Sequence, residues 1–338
     1  MRLLFFGTPA VAVPFLERCA AGGHELLAVV SQPDRPAGRG MKLRPTPVKA
    51  AAEKLGSKVF QPRKVSEIAG ELESLKPDLA VVVAYGRMLK RKILDIPRLG
   101  FLNVHYSLLP KYRGAAPVQR ALMAGETLSG VTLFWIDEGM DCGPVQCQAA
   151  LEIDPNEDAL RLFERLNQLG LQELDKTLEE LSAGKVRKEP QQGEPSLAPK
   201  IDSSESRLDL GLTAEEVHNR VRGLRAGPRA FLELKLPGRS SPVRLTLLKT
   251  AVELEESEKA AGRALTRGSA ASTRRWKAAA PGTVLAVERE NGILVQCSVG
   301  RVWIQEVQPE GKRQIPAADF LNGARLKPGD RLETVRLT

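Results

Sequence analysis

Asn103 and His105 are the residues of this chain whose types and spacing most directly indicate chemistry. They lie in the stretch 101–105 (FLNVH), whose other residues are apolar, as is typical of a strand. Residues two apart in a strand point to the same face, so the amide and the imidazole share one side. An amide can donate to a developing oxyanion and an imidazole can move a proton, which fits acyl-type transfer. A buried polar pair that closes a sheet edge explains the same residues and stays open here.

A strand–turn–helix–strand order at the start of the chain predicts the sheet that positions this pair. Residues 2–6 read as a short strand that is apolar after Arg2, and Gly7-Thr8-Pro9 predicts a turn. A helix follows to about Ala21, and 26–31 is a second strand. The nearly continuous apolar run 79–85 is typical of a central parallel strand. We therefore predict an α/β domain with a doubly wound, mostly parallel sheet, in which ligands bind beyond the carboxyl ends of the strands. The N-terminal turn does not match Gly-x-Gly-x-x-Gly, which argues against a dinucleotide site.

Two polar loops offer further chemistry. Residues 137–144 contain three acids and two glycines, and a carboxylate there could orient His105 or act as a base. Residues 32–49 contain five basic residues, four prolines and two glycines, which fits an arm that contacts phosphates with Arg39 between two glycines. An ordinary acidic hairpin loop and a surface loop without a partner explain the two stretches equally well.

The chain divides by composition into two predicted domains. Residues 1–184 form the predicted α/β domain, and residues 185–206, rich in Pro, Gln, Ser, Lys and Glu, form a predicted linker. In residues 207–338, a helix capped by Thr213 precedes five short strands separated by turns, which predicts a small β-barrel of the oligonucleotide-binding (OB) kind. Residues 253–280 within it are predicted to be a mobile insertion between strands.

Charge and cysteine content narrow the function classes. Residues 1–206 carry 27 Lys and Arg against 26 Asp and Glu, whereas residues 207–338 carry 23 against 15, so nearly all of the net charge of +9 lies in the second part. This predicts an anionic partner, of which nucleic acid is the commonest, with an acidic protein or plain solubility as alternatives. The four cysteines and three histidines show no zinc-site spacing, and we expect a reducing cytosol. We expect no membrane-spanning segment.

Several motifs together resemble the methionyl-tRNA formyltransferase family over nearly the whole chain. They are Gly7-Thr8-Pro9, the stretch 32–40, Val83-Ala84-Tyr85-Gly86, the stretch 103–110 with Arg113-Gly114-Ala115-Ala116-Pro117, the stretch 137–143, and Ala198-Pro199-Lys200-Ile201. The Asn…His…Ser-Leu-Leu-Pro core is shared by the wider group of 10-formyltetrahydrofolate enzymes. The basic loop and the C-terminal barrel select the tRNA enzyme within that group.

The resemblance implies transfer of a formyl group from 10-formyltetrahydrofolate to the α-amino group of methionine on initiator tRNA. It implies Asn103, His105 and Asp141 as the catalytic trio, and Ser107, Leu108, Leu109 and Pro110 as the lining of the folate site. It implies that Arg39, with Lys42 and Arg44, reaches the acceptor stem. We further expect no metal, a monomer and a cytoplasmic location.

Two other functions and three departures from the family pattern stay open. Formyl transfer to a small amine, such as an amino sugar or a ribonucleotide, would need no tRNA, and an RNA-binding protein with an inactive folate domain would need no catalysis. The family commonly has Pro-Trp-Pro where this chain has 224–231 (LRAGPRAF), and Cys142 replaces an expected Thr or Ala. The stretch 253–280 is longer than the usual connection. These departures concern domain packing and tRNA contact.

Overall fold

The computed structural model describes residues 1–37, 42–236, 240–253 and 279–334. The chain forms two compact units, and it passes between them several times. The first unit combines Met1–Pro117, Leu128–Glu152 and Phe163–Pro199. The second unit combines Val118–Thr127, Ile153–Leu162 and Lys200–Thr338. The consecutive domains predicted from composition, 1–184 and 207–338, stay a prediction.

The first unit is built on a seven-stranded sheet that is mostly parallel, as predicted. Its strands are β1 (Arg2–Gly7), β2 (Glu25–Val30), β5 (Val59–Phe60), β6 (Leu79–Val83), β7 (Phe101–His105), β8 (Leu128–Trp135) and β9 (Val145–Glu152). They lie in the order β5-β2-β1-β6-β7-β8-β9. The pairs β7–β8 and β8–β9 are antiparallel, and the other pairs of this sheet are parallel. The order reverses between β1 and β6, which is where sheets of this kind bind ligands.

Helices cover the sheet and close its core. They are α1 (Val13–Ala21), α2 (Pro47–Lys54), α3 (Ala69–Ser74), α4 (Arg91–Leu94) and most of α6 (Ala159–Ser182). The helix α5 (Pro117–Met123) belongs, after its first residue, to the second unit. Every residue of β6 is buried, as the apolar run predicts for a central strand. The helix α4 begins at Arg91, and Lys90 before it has an extended backbone.

The basic loop 32–49 contains a short antiparallel ribbon that the sequence did not predict. Its strands are β3 (Arg35–Ala37) and β4 (Lys42–Arg44), in which Arg35 pairs with Arg44. The hydroxyl of Thr46 accepts from the Lys49 N–H at 3.2 Å and caps α2, which ends the loop. The stretch 38–41, including Arg39, lies outside the described residues.

Residues 189–198, which fall in the predicted linker, are hydrogen-bonded into the first unit, and we call them the strap. Its Glu189 exchanges two main-chain hydrogen bonds with Val145, at 2.7 and 3.0 Å. Near its other end, Arg113 donates to the carbonyl of Ser196 at 2.8 Å and accepts from Ala198 at 2.7 Å. The strap therefore joins the start of β9 to the segment that follows β7, which lie far apart in sequence.

The second unit is built on an antiparallel sheet. Its strands are β10 (Phe231–Lys235), β11 (Val243–Val252), β12 (Val284–Glu288), β13 (Gly292–Gln296), β14 (Arg301–Pro309), β15 (Ile315–Pro316) and β16 (Glu333–Thr334). They lie in the order β12-β13-β14-β11-β10-β16, with β15 on β14. Closure into a barrel stays a prediction. The Pro237-Gly238 turn and almost all of the predicted insertion 253–280 lie outside the described residues.

The last segment of the second unit contains the helices α7 (Ala214–Gly223) and α8 (Ala317–Gly323). The predicted capping box at Thr213 is confirmed, since its hydroxyl accepts from the Glu216 N–H and the Glu216 carboxylate accepts from the Thr213 N–H. On α7, buried His218 donates from Nε2 to the Pro155 carbonyl and accepts at Nδ1 from the Thr250 hydroxyl, both at 3.0 Å. Burial lowers the pKa of His218 to about 4, so it is neutral at pH 7.

Within the described ranges, none of the helices combines the length and the apolar character needed to cross a membrane.

Candidate active site

A cleft of about 520 Å³ opens beside the carboxyl ends of β6 and β7. This volume lies in the range of small-molecule sites. Its walls are mostly apolar, with contributions from Val82, Met88, Leu89, Phe134 and Ile136. Its polar lining includes Asn103, His105 and Asp141. The trio implied by the sequence resemblance therefore shares one cavity.

The imidazole of His105 is buried, with 6% of the residue exposed. Its Nε2 lies 2.9 Å from the main-chain carbonyl of Tyr112. A carbonyl only accepts, so Nε2 carries the proton and the neutral ring keeps a lone pair on Nδ1. The ring also packs edge-on against Phe134, with centroids 6.3 Å apart. A main-chain group, rather than the predicted carboxylate, thus fixes the orientation of the imidazole.

The environment of His105 keeps it neutral at pH 7. Burial disfavours the charged ring and lowers its pKa below the ordinary value of 6.5. The negative charge of Asp141 and the hydrogen bond to Tyr112 oppose this effect but are smaller. A neutral imidazole with a free lone pair at Nδ1 can act as a base.

Asp141 faces Nδ1 of this ring without bonding to it. Its Oδ2 lies 3.8 Å from His105 Nδ1, which is too long for a hydrogen bond, and instead accepts from the Gly114 N–H at 2.7 Å. The residue has a left-handed backbone with φ +53°, which is uncommon outside glycine. The carboxylate is therefore placed to respond to a positive charge that appears on the imidazole.

Gln191 on the strap holds the loop that carries Asp141. Its Nε2 donates to the carbonyls of Asp141 and Gly143, at 2.8 and 2.9 Å. Its Oε1 accepts from Nη2 and Nε of Arg113, at 2.6 and 3.1 Å. Sequence reasoning missed this residue, because a glutamine in a stretch rich in Pro and Gln carries no pattern that separates it from a linker.

Ser107, Leu108, Leu109 and Pro110 are not among the residues that line the cleft. The hydroxyl of Ser107 donates to the Lys111 carbonyl at 2.6 Å, and its carbonyl accepts from the Thr132 hydroxyl at 2.6 Å. The Leu109 carbonyl accepts from Nε2 of Gln148 at 2.7 Å. These bonds fix the turn that delivers the Tyr112 carbonyl to His105. A direct contact of these four residues with folate stays a prediction.

A second pocket, of about 410 Å³, lies at the ends of β1, β2 and β6 and shares Tyr85 with the cleft. Gln32 donates to the Tyr85 carbonyl at 2.8 Å and accepts from Arg35 at 2.7 Å. Arg35 and exposed Arg44 line this pocket. Of the three basic residues implied for tRNA contact, Arg44 is thus beside the cleft, and Lys42 is described through its main chain only.

Comparison with known proteins identifies the family. Residues 1–178 match the model of the formyl transferase family, and residues 200–325 match that of the formyl transferase C-terminal domain. A methionyl-tRNA formyltransferase of Elusimicrobium minutum is 42% identical over 98% of this chain and 99% of its own length. One of Thermus thermophilus is 41% identical over 99% of this chain and 100% of its own length.

The fold agrees with that of a solved formyltransferase. The crystal structure of the N-formyltransferase from Helicobacter canadensis, in complex with folinic acid and dTDP-3-aminofucose, aligns with a TM-score of 0.62 and 19% identity. The alignment covers 90% of this chain and 98% of that one. With full-length relatives above 40% identity and both formyl transferase domain models matched in order, the chain belongs to the methionyl-tRNA formyltransferase family.

Proposed function

We propose that this protein transfers the formyl group of 10-formyltetrahydrofolate to the α-amino group of methionine on initiator methionyl-tRNA. The observation that carries the proposal is the convergence of Asn103, His105 and Asp141 in one cleft of a chain from this family. Folate and tRNA are both substrates in this proposal. The protein acts as a monomer in the cytoplasm.

His105 acts as the base. The neutral amine attacks the formyl carbon, its nitrogen becomes positively charged, and the carbonyl oxygen becomes an oxyanion. Nδ1 of His105 holds a lone pair toward Asp141, so the amine proton passes to it directly or through a water molecule. Collapse of the intermediate re-forms the carbonyl and breaks the bond between the formyl carbon and N10 of the folate. The imidazolium of His105 returns its proton to N10, which regenerates the neutral base.

Asn103 and Asp141 stabilise the charges that this sequence creates. The amide N–H groups of Asn103 donate to the oxyanion, a contribution that counts for most in a site from which water is excluded. The carboxylate of Asp141, 3.8 Å from Nδ1, favours the imidazolium once the proton has arrived. The trio thus stabilises both charges that the reaction creates, the negative charge of the oxyanion and the positive charge of the imidazolium.

The donor binds against the apolar walls of the cleft. Beyond β6 the main chain turns with positive φ at Ala84 and Gly86, +47° and +77°, and both residues line the cleft. Main-chain groups in such a turn are available to the polar edge of a pterin, while Met88 and Leu89 contribute apolar area. Ser107, Leu108, Leu109 and Pro110 support this site by fixing the turn that carries the Tyr112 carbonyl.

The ribbon of β3 and β4 binds the acceptor stem. Arg39, Lys42 and Arg44 contact phosphates, which position the tRNA without reading its sequence. Arg44 lies at the pocket that adjoins the cleft, so the ribbon can hold the RNA next to the site of transfer. The basic second unit provides additional positive charge for the body of the tRNA.

Formyl transfer to methionylated initiator tRNA, with 10-formyltetrahydrofolate as the donor, tests the proposal. We expect the wild-type protein to formylate initiator tRNA faster than elongator tRNA. His105→Ala and Asp141→Ala should each lower kcat by about a hundredfold or more, since each removes a group that moves or balances the proton. His24→Ala, a histidine outside the cleft, is the matched control and should retain activity.

Three outcomes would count against parts of this proposal. Full activity of either cleft variant would remove that residue from the catalytic role. Transfer to an amino sugar nucleotide without tRNA would instead identify a small-amine formyltransferase. Absence of both folate binding and transfer, with tRNA binding retained, would identify an RNA-binding protein.

A further inference from the structure

We propose that Gln191 is a positioning residue that holds the carboxylate of Asp141 at its working distance from His105. The amide spans two chain segments, the loop that carries Asp141 and the segment that carries Arg113. The kinetic test of this role for Gln191 rests on the proposed formyl transfer. The geometry itself, and one of its tests, do not depend on the identity of the acceptor.

The loop around Asp141 needs an external clamp because its backbone is unfavourable on its own. A left-handed conformation at a non-glycine residue, here φ +53°, persists only where the surroundings enforce it. Gln191 Nε2 uses its two N–H groups on the carbonyls of Asp141 and Gly143, one on each side of Cys142. Both hydrogen bonds of this amide group thus hold the main chain of Asp141 and Gly143, which sets the direction of the Asp141 side chain.

Arg113 fixes which way the amide of Gln191 points. Two guanidinium N–H groups converge on Oε1, which leaves Nε2 directed at the loop carbonyls. The next residue, Gly114, donates its N–H to Oδ2 of Asp141 at 2.7 Å. Arg113 and Gly114 therefore act on the same carboxylate by two routes, one through Gln191 and one directly. A carboxylate at position 191 could keep the first contact with Arg113 but would face two carbonyl oxygens.

The groups around the imidazole make its titration a direct measure of this geometry. Among the described residues, Asp141 is the charged group that shifts the pKa of His105. Tyr112 presents its carbonyl to Nε2, and Phe134 on β8 packs its apolar ring against the imidazole. Asp141 raises the pKa of His105 against the larger effect of burial. A carboxylate that drifts away would therefore let the pKa of His105 fall further.

The test compares Gln191→Met with Gln192→Met, a change of the same size at the adjacent exposed residue. The chain has three histidines, so NMR of the labelled imidazoles can follow His105 while His24 and His218 serve as internal references. In Gln191→Met we expect a lower pKa for His105 and unchanged pKa values for the other two. We expect kcat for formyl transfer to fall by about tenfold to a hundredfold, as for a misplacement of about 1 Å, with little change in KM for folate.

Two further variants keep the proposal falsifiable. Gln191→Glu should also lower kcat, although it fills the same space, because it removes both donors to the loop. Arg113→Met should lower kcat, and the double variant with Gln191→Met should be no worse than the worse single variant, since both act through one amide.

Four results would overturn the proposal. They are an unchanged kcat in Gln191→Met, a lower kcat without a change in the His105 titration, an equal loss in Gln192→Met, and full activity in Gln191→Glu. If the wild-type protein does not formylate tRNA, the proposed function fails, but the His105 titration in the free protein still decides the role of Gln191.

Discussion

The state of His105 follows from one main-chain contact and from its burial. The Tyr112 carbonyl, 2.9 Å from Nε2, selects the tautomer, and burial keeps the ring neutral. A side chain that accepts a proton during the reaction must be uncharged before it, so both effects act in the same direction. Because Oδ2 of Asp141 lies 3.8 Å from Nδ1, Asp141 contributes little to the orientation of the neutral imidazole. It acts mainly once the imidazole is charged.

Two buried tyrosines near the cleft differ in whether their hydroxyl group has a hydrogen-bond partner. Among the described residues, the buried hydroxyl of Tyr85 has no hydrogen-bond partner, whereas that of Tyr106 donates to Oδ1 of Asn167 at 2.5 Å. We expect Tyr85→Phe to leave the free energy of unfolding unchanged or slightly higher, because it removes a polar atom that is already unpaired. Tyr106→Phe should lower it by about 1–3 kcal/mol, because Asn167 loses its donor.

Urea unfolding of the two variants beside the wild type, followed by a probe in the first unit, measures this difference. Each substitution removes a single oxygen from the same residue type, so each is the control for the other. A loss of stability in Tyr85→Phe equal to that in Tyr106→Phe would show that the Tyr85 hydroxyl does find a partner in solution.

At the scale of elements, the strap and the turn after β7 together build the site. The turn brings Tyr112 to His105 and Gly114 to Asp141, and the strap pairs with the same segment through Arg113. Gly114 has φ +124°, and a Cβ there would lie 2.7 Å from the Ala198 carbonyl. The close approach of the strap therefore depends on glycine at this position.

Gly114→Ala should reduce both stability and activity. The substitution forces the turn and the strap apart, at a cost of about 2–4 kcal/mol from backbone strain and the steric conflict. The Gly114 N–H moves away from Asp141, so kcat should fall as well. Unfolding and formyl transfer measured on the same preparation check both effects.

Gly70→Ala in α3 is the control, since a Cβ there has no described atom within 4 Å. It should stabilise the protein by about 0.5–1 kcal/mol, because alanine is the better helix residue. Wild-type stability and activity in Gly114→Ala would contradict the close packing of turn and strap.

Local rules explain which parts of this site could be predicted from the sequence. Strand alternation places Asn103 and His105 on one side, and the Thr213 capping box follows from residues three apart. Asp141 entered through the family resemblance, since an acidic loop alone does not indicate what it faces. Gln191 could not be predicted, because its role depends on a segment 50 residues from Asp141 folding back onto it.

The ribbon of β3 and β4 escaped prediction for a related reason. Prolines and glycines dominate the stretch 32–49, and these residues usually mark irregular loops. Main-chain pairing of Arg35 with Arg44 does not need apolar side chains, so no hydrophobic pattern in the sequence indicates it. Pairing stiffens the base of the arm and holds exposed Arg44 at a pocket that adjoins the cleft.

At the scale of the whole molecule, the charge distribution should make tRNA use depend on salt. The net charge of +9 and the exposed basic ribbon attract phosphates, and each contact releases bound counterions from the RNA. If Arg44 contacts a phosphate, Arg44→Ala should raise KM for tRNA several-fold. It should also lower the slope of log KM against log salt by about one unit, while KM for the folate donor stays unchanged.

Formyl transfer rates over a series of salt concentrations, with each substrate varied in turn, measure this effect. Lys92→Ala, which removes an exposed positive charge from α4, is the matched control and should leave the salt slope as in the wild type. Because the total charge of the two variants is equal, a general field effect would change both alike. An equal change in the slope for Lys92→Ala, or a parallel rise in KM for folate with Arg44→Ala, would show that Arg44 does not make a local contact with the RNA.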